Sequence, residues 1–154
     1  EREQIEVFET QIEWSLEMQL PLSVHVRESG EETLCLLQKY AGKGLRAVIH
    51  SFTGDENMAK KFLTLGEDVY LGVNGIITFK KSESLRAVLK QVVPLNKIVI
   101  ETDSPYLSPV PYRGRRNESA YVVEVLRKLS EIYEKAVDEV EKITNNNAKM
   151  LFFT

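Results

Sequence analysis

The chain has 154 residues, of which 43% are hydrophobic and 28% are charged, which suits one soluble domain spanning residues 1–154. Eight glycines and five prolines, with no low-complexity tract, exclude a disordered or collagen-like chain. Twenty Lys and Arg against 23 Asp and Glu leave a net charge of −3, so any polyanion must be bound by a local basic patch. A complete (β/α)8 barrel, which takes about 250 residues, is excluded by the length.

The apolar runs of this sequence are far shorter than a membrane span, and no basic segment followed by an apolar run opens it. The single cysteine, Cys35, cannot form an internal disulfide and is typical of a reducing compartment. We therefore expect a cytoplasmic protein that does not contact membranes.

Helices and strands are predicted to alternate along most of the chain. The apolar spacing predicts helices over residues 3–20, 29–41, 58–65, 85–92 and 122–132, and two shorter helices over 136–143 and 148–152. Short runs rich in β-branched residues predict strands over residues 22–26, 45–49, 69–73 and 97–100. Three prolines between residues 105 and 111 predict a long, rigid loop after the fourth strand.

Strands that alternate with helices at this spacing are typical of a parallel α/β sheet with right-handed crossovers. The strands are nearly continuous apolar runs, as expected for a sheet covered on both faces. An open doubly wound sheet and a segment of a barrel both satisfy this pattern.

Polar residues follow or end the predicted strands at comparable places: His25, His50, Asn74 and Asp103. The carboxyl ends of parallel strands meet at one edge of a sheet, so we expect these side chains to lie together. Two imidazoles and a carboxylate suit a divalent metal ion, which acidifies water and polarises a scissile bond. The alternatives are histidines that only form hydrogen bonds at strand ends, and a turn aspartate at position 103.

Arginines near these strand ends are candidates for binding phosphate. Arg27 stands two residues after His25 and points to the same side if the strand continues; a surface pair with Glu28 is the alternative. Residues 113–117 read R-G-R-R-N and form the most basic segment of the chain, which is either a phosphate-binding loop or a solvated one.

Five segments then carry a family resemblance. They are P-L-S-V-H-V-R-E at 21–28, V-I-H-S-F-T-G at 48–54, I-V-I-E-T-D-S-P-Y-L at 98–107, R-G-R-R-N-E at 113–118, and N-A with L-F within 147–152. In this combination and order the sequence closely resembles the TatD family of metal-dependent deoxyribonucleases. The resemblance implies a hydrolase with a TIM (β/α)8 barrel that cuts DNA phosphodiester bonds with Mg²⁺ or Zn²⁺, Mn²⁺ being a further option.

Carried over by position, His25, His50 and Asp103 match metal ligands of the family, and Asp103 is also the expected catalytic residue. Arg27, Arg116 and Asn117 fall in its H-x-R and R-N-E segments, where we expect substrate binding or, alternatively, an architectural role. The family's H-x-H pair and metal-bridging glutamate have no counterpart in this sequence. We therefore expect the C-terminal portion of such a barrel, strands four to eight with the eighth either hidden in the Pro-rich loop or irregular, and incomplete catalysis by this portion alone.

Two other functions stay open at this stage. A hydrolase of the same superfamily could act on a small amide or lactone. A noncatalytic module could instead pair its exposed sheet edges with another copy of the chain, giving a homo-oligomer.

Overall fold

The computed structural model describes residues 2–153, a part of the chain that contains six α-helices and four β-strands. The helices are α1 (Arg2–Met18), α2 (Gly30–Gln38), α3 (Glu56–Leu63), α4 (Glu83–Val92), α5 (Val122–Tyr133) and α6 (Val137–Phe152). The strands are β1 (Leu22–His25), β2 (Ala47–His50), β3 (Val69–Val73) and β4 (Ile98–Ile100). Short 3-10 helices occupy Gly75–Thr78, Leu95–Lys97 and Ser119–Tyr121.

The four strands are parallel and lie side by side in the order β1-β2-β3-β4. Each crossover connection therefore moves the chain to the neighbouring strand position, always toward the same side of the sheet. A doubly wound sheet reverses this direction at a switch point, which is where its strand order breaks. Of the two architectures compatible with the sequence, the sequential order supports a segment of a barrel.

The main hydrophobic core lies between the sheet and the helices that follow or precede its strands. Its fully buried members include Ala47, Leu71 and Ile98 from the strands, and Ile12, Leu37, Phe62, Leu89 and Leu129 from the helices. Burial of one such large side chain contributes about 1.5–3 kcal/mol. Packing of successive strand and helix units on this core holds the strands in register, so their carboxyl ends form a common edge.

A second, smaller cluster covers the opposite face of the sheet, where Val48, Tyr70 and Val99 contact Leu151 of α6. The Asn147 amide donates to the carbonyl oxygens of Leu95 and Ile98, at 3.0 and 2.7 Å. Both acceptors lie just before or at the start of β4. The C-terminal half of α6 thus closes the sheet at the amino ends of the strands and leaves the carboxyl edge to other groups.

One predicted feature is wrong in the part of the chain that the structure describes. Residues 137–152 form one continuous helix, not two short ones, because its central polar residues have partners: the Thr144 hydroxyl donates to the Val140 carbonyl, and Asn147 bonds to the sheet. The sheet has four strands, as the apolar runs predict, and residues 101–118 contain no further regular strand, which agrees with the irregular alternative for strand eight. None of the helices within residues 2–153 has the length and apolar character that crossing a bilayer requires.

Tyr133 supplies a first stability prediction. Its hydroxyl lies 2.9 and 2.7 Å from the carbonyl oxygens of Leu89 and Val93, and burial raises the pKa of this phenol above its ordinary value. We expect Tyr133→Phe to lower the free energy of unfolding by about 1 kcal/mol, since one buried hydrogen bond is lost. Urea unfolding should show this loss, whereas Tyr106→Phe, at a side chain that is 72% exposed, should cause none.

The same residue makes stability depend on alkaline pH. Because its pKa is raised in the folded protein, the unfolded chain loses this proton first. The Tyr133 contribution is therefore fully present below the ordinary phenol pKa of about 10 and declines above it. We expect Tyr133→Phe to flatten the stability profile in that range. A slope identical to that of the wild-type chain would contradict the assignment.

Candidate metal centre

The two histidines of the chain lie next to each other at the carboxyl edge of the sheet. His25 ends β1 and His50 ends β2, and the two residues are paired in the parallel register. Their ring centroids are 5.8 Å apart. Because side chains alternate along a strand, both imidazoles point to the face that carries Val48, away from the main helix-covered core. The sequence-predicted proximity of the two residues is confirmed.

Asp103 joins this pair from the loop after β4. Its Oδ1 lies 3.2 Å from Nε2 of His50, and about a third of its side chain is exposed. The backbone at Asp103 is left-handed, with φ 58°, a conformation that costs most residues energy but that aspartate tolerates. The Tyr106 N–H donates to the Asp103 carbonyl and closes the turn. The carboxylate thus faces the histidine, which favours a site role over that of a simple turn aspartate.

Glu101 is the site residue that the sequence analysis did not select. Its Oε2 lies 2.8 Å from Nδ1 of His50, and its Oε1 accepts the N–H of Ser51 at 2.6 Å. Glu101 lies one residue beyond β4, on the same face of the sheet as Val99. The neighbouring strand β3 has Gly72, which lacks a side chain, beside the Glu101 carboxylate. Period-two alternation from Val99 would have placed Glu101 toward His50.

The loop after β4 is held in place by Asn117. This side chain is buried, and its amide donates to the carbonyl oxygens of Thr102 and Tyr106 at 2.7 and 2.6 Å, while its Oδ1 accepts the Glu118 N–H. These bonds fix the backbone on both sides of Asp103. Of the two roles expected for Asn117, the contacts favour the architectural one, and binding of substrate by this residue stays a prediction.

The arginines near the site differ in their contacts within the protein and in their exposure to solvent. Arg113 stacks over the Phe79 ring, with its guanidinium carbon 3.8 Å from the centroid, and donates to the Ser108 carbonyl at 3.3 Å. It therefore braces the loop, while the Arg116 side chain is exposed to solvent. Arg27 lies in a bend after β1, since the strand ends at His25, and lines a cavity of about 620 Å³ that His25 also lines.

A second cavity, of about 310 Å³, adjoins His50 on the other side and has a different chemistry. It is lined by apolar groups that include Phe52 and Met58, and by the carboxylates of Glu28 and Asp55. Glu28 also lines the Arg27 cavity, together with Glu32, so each cavity has two carboxylates. The larger cavity differs in that an arginine, Arg27, lines it.

The donor set can be tested for its fit to a metal ion. Two protein donors that share one ion at about 2.0–2.2 Å lie roughly 2.9–3.4 Å apart, and the His50 Nε2 to Asp103 Oδ1 distance of 3.2 Å falls in this range. With Nδ1 facing Glu101, Nε2 is the nitrogen left for ligation. No three His, Cys, Asp or Glu side chains within residues 2–153 form a ready ligand group, because the His25 ring stands farther off. The residues fit part of a metal site, and ligation itself stays a prediction.

Comparison with known proteins decides the family. The family model described as "TatD related DNase" matches residues 1–153, almost the whole chain. The chain belongs to the TatD family. This confirms the resemblance that the five sequence segments carry.

Curated relatives of this TatD-family chain are similar over nearly all of it. An uncharacterized metal-dependent hydrolase of Buchnera aphidicola is 41% identical over 149 residues, which are 97% of this chain and 55% of the relative. Relatives of the same description from Bacillus subtilis and Escherichia coli K12 are 36% and 38% identical, with 57% and 55% of their lengths covered. The chain thus spans little more than half the length of these relatives.

Solved structures agree with the fold. The TatD homolog YJJV of E. coli K12 has a TM-score of 0.84 at 26% identity, covering 94% of this chain and 54% of that structure. An uncharacterized amidohydrolase of Saccharomyces cerevisiae also has a TM-score of 0.84, and at 19% identity it is similar in fold alone. The predicted fold class, a partial α/β barrel of the metal-dependent hydrolase type, is confirmed.

Proposed function

We propose that this chain carries the later-strand half of the active site of a metal-dependent hydrolase that cuts DNA phosphodiester bonds. The observation that carries the proposal is the contact between His50 Nε2 and Asp103 Oδ1 at the carboxyl edge of the sheet. Relatives named metal-dependent hydrolases and a family described as TatD related DNase support it.

His50 and Asp103 would hold the ion in this proposal, with His25 as the third ligand. Mg²⁺ or Zn²⁺, and also Mn²⁺, suit one carboxylate and two imidazoles. When bound, such an ion supplies Lewis-acid polarisation of the phosphate and lowers the pKa of water. Asp103, partly exposed at this edge, would orient a water molecule and accept its proton.

Binding of DNA to a chain of net charge −3 requires local positive charge. We assign this role to Arg27, beside His25, and to Arg116, on the loop that also carries Asp103. The guanidinium of each would contact phosphate oxygens and so place the scissile bond at the metal. A cytoplasmic location, suggested by the lone Cys35, is part of the same proposal.

The test combines metal binding with a substrate panel. Calorimetry should detect Mg²⁺, Mn²⁺ or Zn²⁺ binding to the chain, and the ion that binds should stimulate cleavage of DNA by the chain or by any longer protein that contains it. A parallel panel of small amides and lactones tests the superfamily alternative. Hydrolysis of these compounds with no cleavage of DNA would overturn the proposed substrate class.

The noncatalytic alternative draws on one observation. In the sheet formed by residues 2–153, β1 and β4 are edge strands, each paired with one neighbour. Open edges of parallel strands can pair with another copy of the chain. Light scattering measures the oligomeric state, and calorimetry measures the metal stoichiometry. A monomer that binds metal stoichiometrically would contradict a purely oligomerising role.

Arg116→Gln gives a specific prediction for the DNA contact. We expect weaker DNA binding, with the slope of log affinity against log salt reduced by about 1, because one phosphate contact is lost. The matched control is Lys43→Gln, which removes one positive charge from the turn after α2, at the opposite edge of the sheet. Fluorescence anisotropy over a salt series measures both, and equal effects of the two variants would contradict a local contact at Arg116.

A further inference from the structure

The loop that carries Asp103 also exposes an aromatic ring. Tyr106 follows Asp103 by three residues, and its side chain is 72% exposed. Tyr112, farther along the same loop, differs in this respect because its ring stacks on Tyr121, with the centroids 3.9 Å apart and the planes 5° from parallel. A ring that stays in water adds little to the stability of the fold. Packing within the protein therefore does not account for an aromatic residue at position 106.

The backbone at Tyr106 is held in place on both sides. Its N–H donates to the Asp103 carbonyl at 2.9 Å, and its carbonyl accepts a hydrogen bond from the Asn117 amide at 2.6 Å. A tyrosine side chain has only two rotatable angles, so a ring on a fixed backbone loses little conformational entropy when a ligand covers it. Tyr106 is thus an exposed ring in a preorganised position.

The same hydrogen bonds bring an arginine to this ring. The backbone N–H of Asn117 donates to the Pro105 carbonyl at 3.0 Å, so the residue before Asn117, Arg116, lies on a segment directly beside Tyr106. The Arg116 side chain is exposed as well. An aromatic ring can stack on a nucleobase, and a guanidinium can bind phosphate oxygens. The two neighbouring side chains therefore match the two chemically distinct parts of one nucleotide.

We infer that Tyr106 and Arg116 form a subsite for one unpaired nucleotide of DNA, in which the Tyr106 ring stacks on the base and the Arg116 guanidinium binds the phosphate. The inference rests on the proposed function, which supplies DNA as the ligand. Inside a duplex, both faces of a base are covered by its neighbours, so a protein ring stacks only on a base that is unpaired or flipped out. The subsite thus selects unpaired DNA beside the proposed metal centre.

The experiment compares two single-stranded probes of equal length, an oligothymidylate and a strand of the same phosphates without bases. Fluorescence anisotropy in metal-free buffer measures their binding without cleavage. We expect Tyr106→Ala to weaken oligothymidylate binding by about 5- to 150-fold and binding of the abasic strand by less than about twofold. Arg116→Gln should weaken the binding of both probes, because both carry phosphates.

Two control variants separate stacking from other effects. Tyr106→Phe keeps the ring and loses only the hydroxyl, so it should bind both probes within about twofold of the wild-type chain. Phe153→Ala removes a ring that is 83% exposed at the end of α6, by the amino edge of the sheet, and should leave both affinities unchanged. Because Tyr106 is exposed, we expect the alanine variant to keep the wild-type unfolding midpoint. Tyr106→Leu, which has an apolar side chain without a flat ring, provides the same test if the alanine variant does not fold.

The possible failures can be told apart. Wild-type affinity of Tyr106→Ala for oligothymidylate would overturn the inference, and so would an equal loss of affinity for both probes, which indicates a disturbed loop. In either case DNA still binds, and the proposed function stands. Tyr106-dependent binding without metal-stimulated cleavage would contradict the proposed function and leave the subsite in place. A wild-type chain that binds neither probe would contradict both.

Discussion

In the chain, or in a longer protein that contains it, Asp103→Asn should reduce metal-stimulated DNA hydrolysis by about a thousandfold, which corresponds to roughly 4 kcal/mol of transition-state stabilisation. The variant removes the negative charge that faces His50 and the group that accepts a proton from water. Asparagine has the same shape and tolerates the left-handed backbone at this position, so the loop should keep its structure. The loss should therefore be chemical and not structural.

Initial rates at saturating metal measure the effect, together with metal affinity from calorimetry. Asp68→Asn is the matched control, because this carboxylate directly precedes β3, at the amino edge of the sheet. We expect wild-type rates from the control and an unchanged unfolding midpoint from both variants. Undiminished hydrolysis by Asp103→Asn would remove Asp103 from the active site and with it the proposed metal centre.

Gly75→Ala should lower the free energy of unfolding by about 1–3 kcal/mol, because it forces apart two segments of backbone. A Cβ atom at Gly75 would lie 2.2 Å from the Leu107 carbonyl oxygen and 3.1 Å from the Pro109 nitrogen. Neither atom belongs to a flexible side chain, so the loop that carries Asp103 must move. We expect metal affinity to fall together with stability.

Gly66→Ala is the control for this variant. Its added Cβ would meet the Leu45 carbonyl and the Val69 side chain at 3.8 Å, an ordinary contact distance. Urea unfolding should show a change within about 0.5 kcal/mol for Gly66→Ala. Limited proteolysis should cut the loop over residues 104–116 faster in Gly75→Ala only. Equal stability of the two alanine variants would show that the loop adjusts freely around position 75.

Much of the architecture could be predicted from the sequence because it depends on local patterns. Residues 69–73 form an uninterrupted apolar run, and β3 has these bounds. The places of His25 and His50 followed from the ends of such runs. The sequential strand order could not be predicted from the pattern alone, because a doubly wound sheet has the same alternation of strands and helices.

The predictions that failed concern residues whose partners are distant in the chain. Glu101 bonds to residues about 50 positions earlier, and Asn147 bonds to carbonyl groups about 50 positions earlier. No local periodicity reports such a pairing, so the carboxylate behind His50 became apparent only in the folded chain.

The separation of the two edges of the sheet has a consequence for how this chain can vary in length. The groups of the proposed site enter at the carboxyl edge, while α6 and the turns that lead into the strands occupy the other edge. The turn at Gly42 and Gly44 belongs to that second group; it is exposed to solvent, and its two glycines have a left-handed backbone, with φ 76° and 86°. Insertions in this turn can therefore accumulate during evolution without altering the distance between His50 and Asp103.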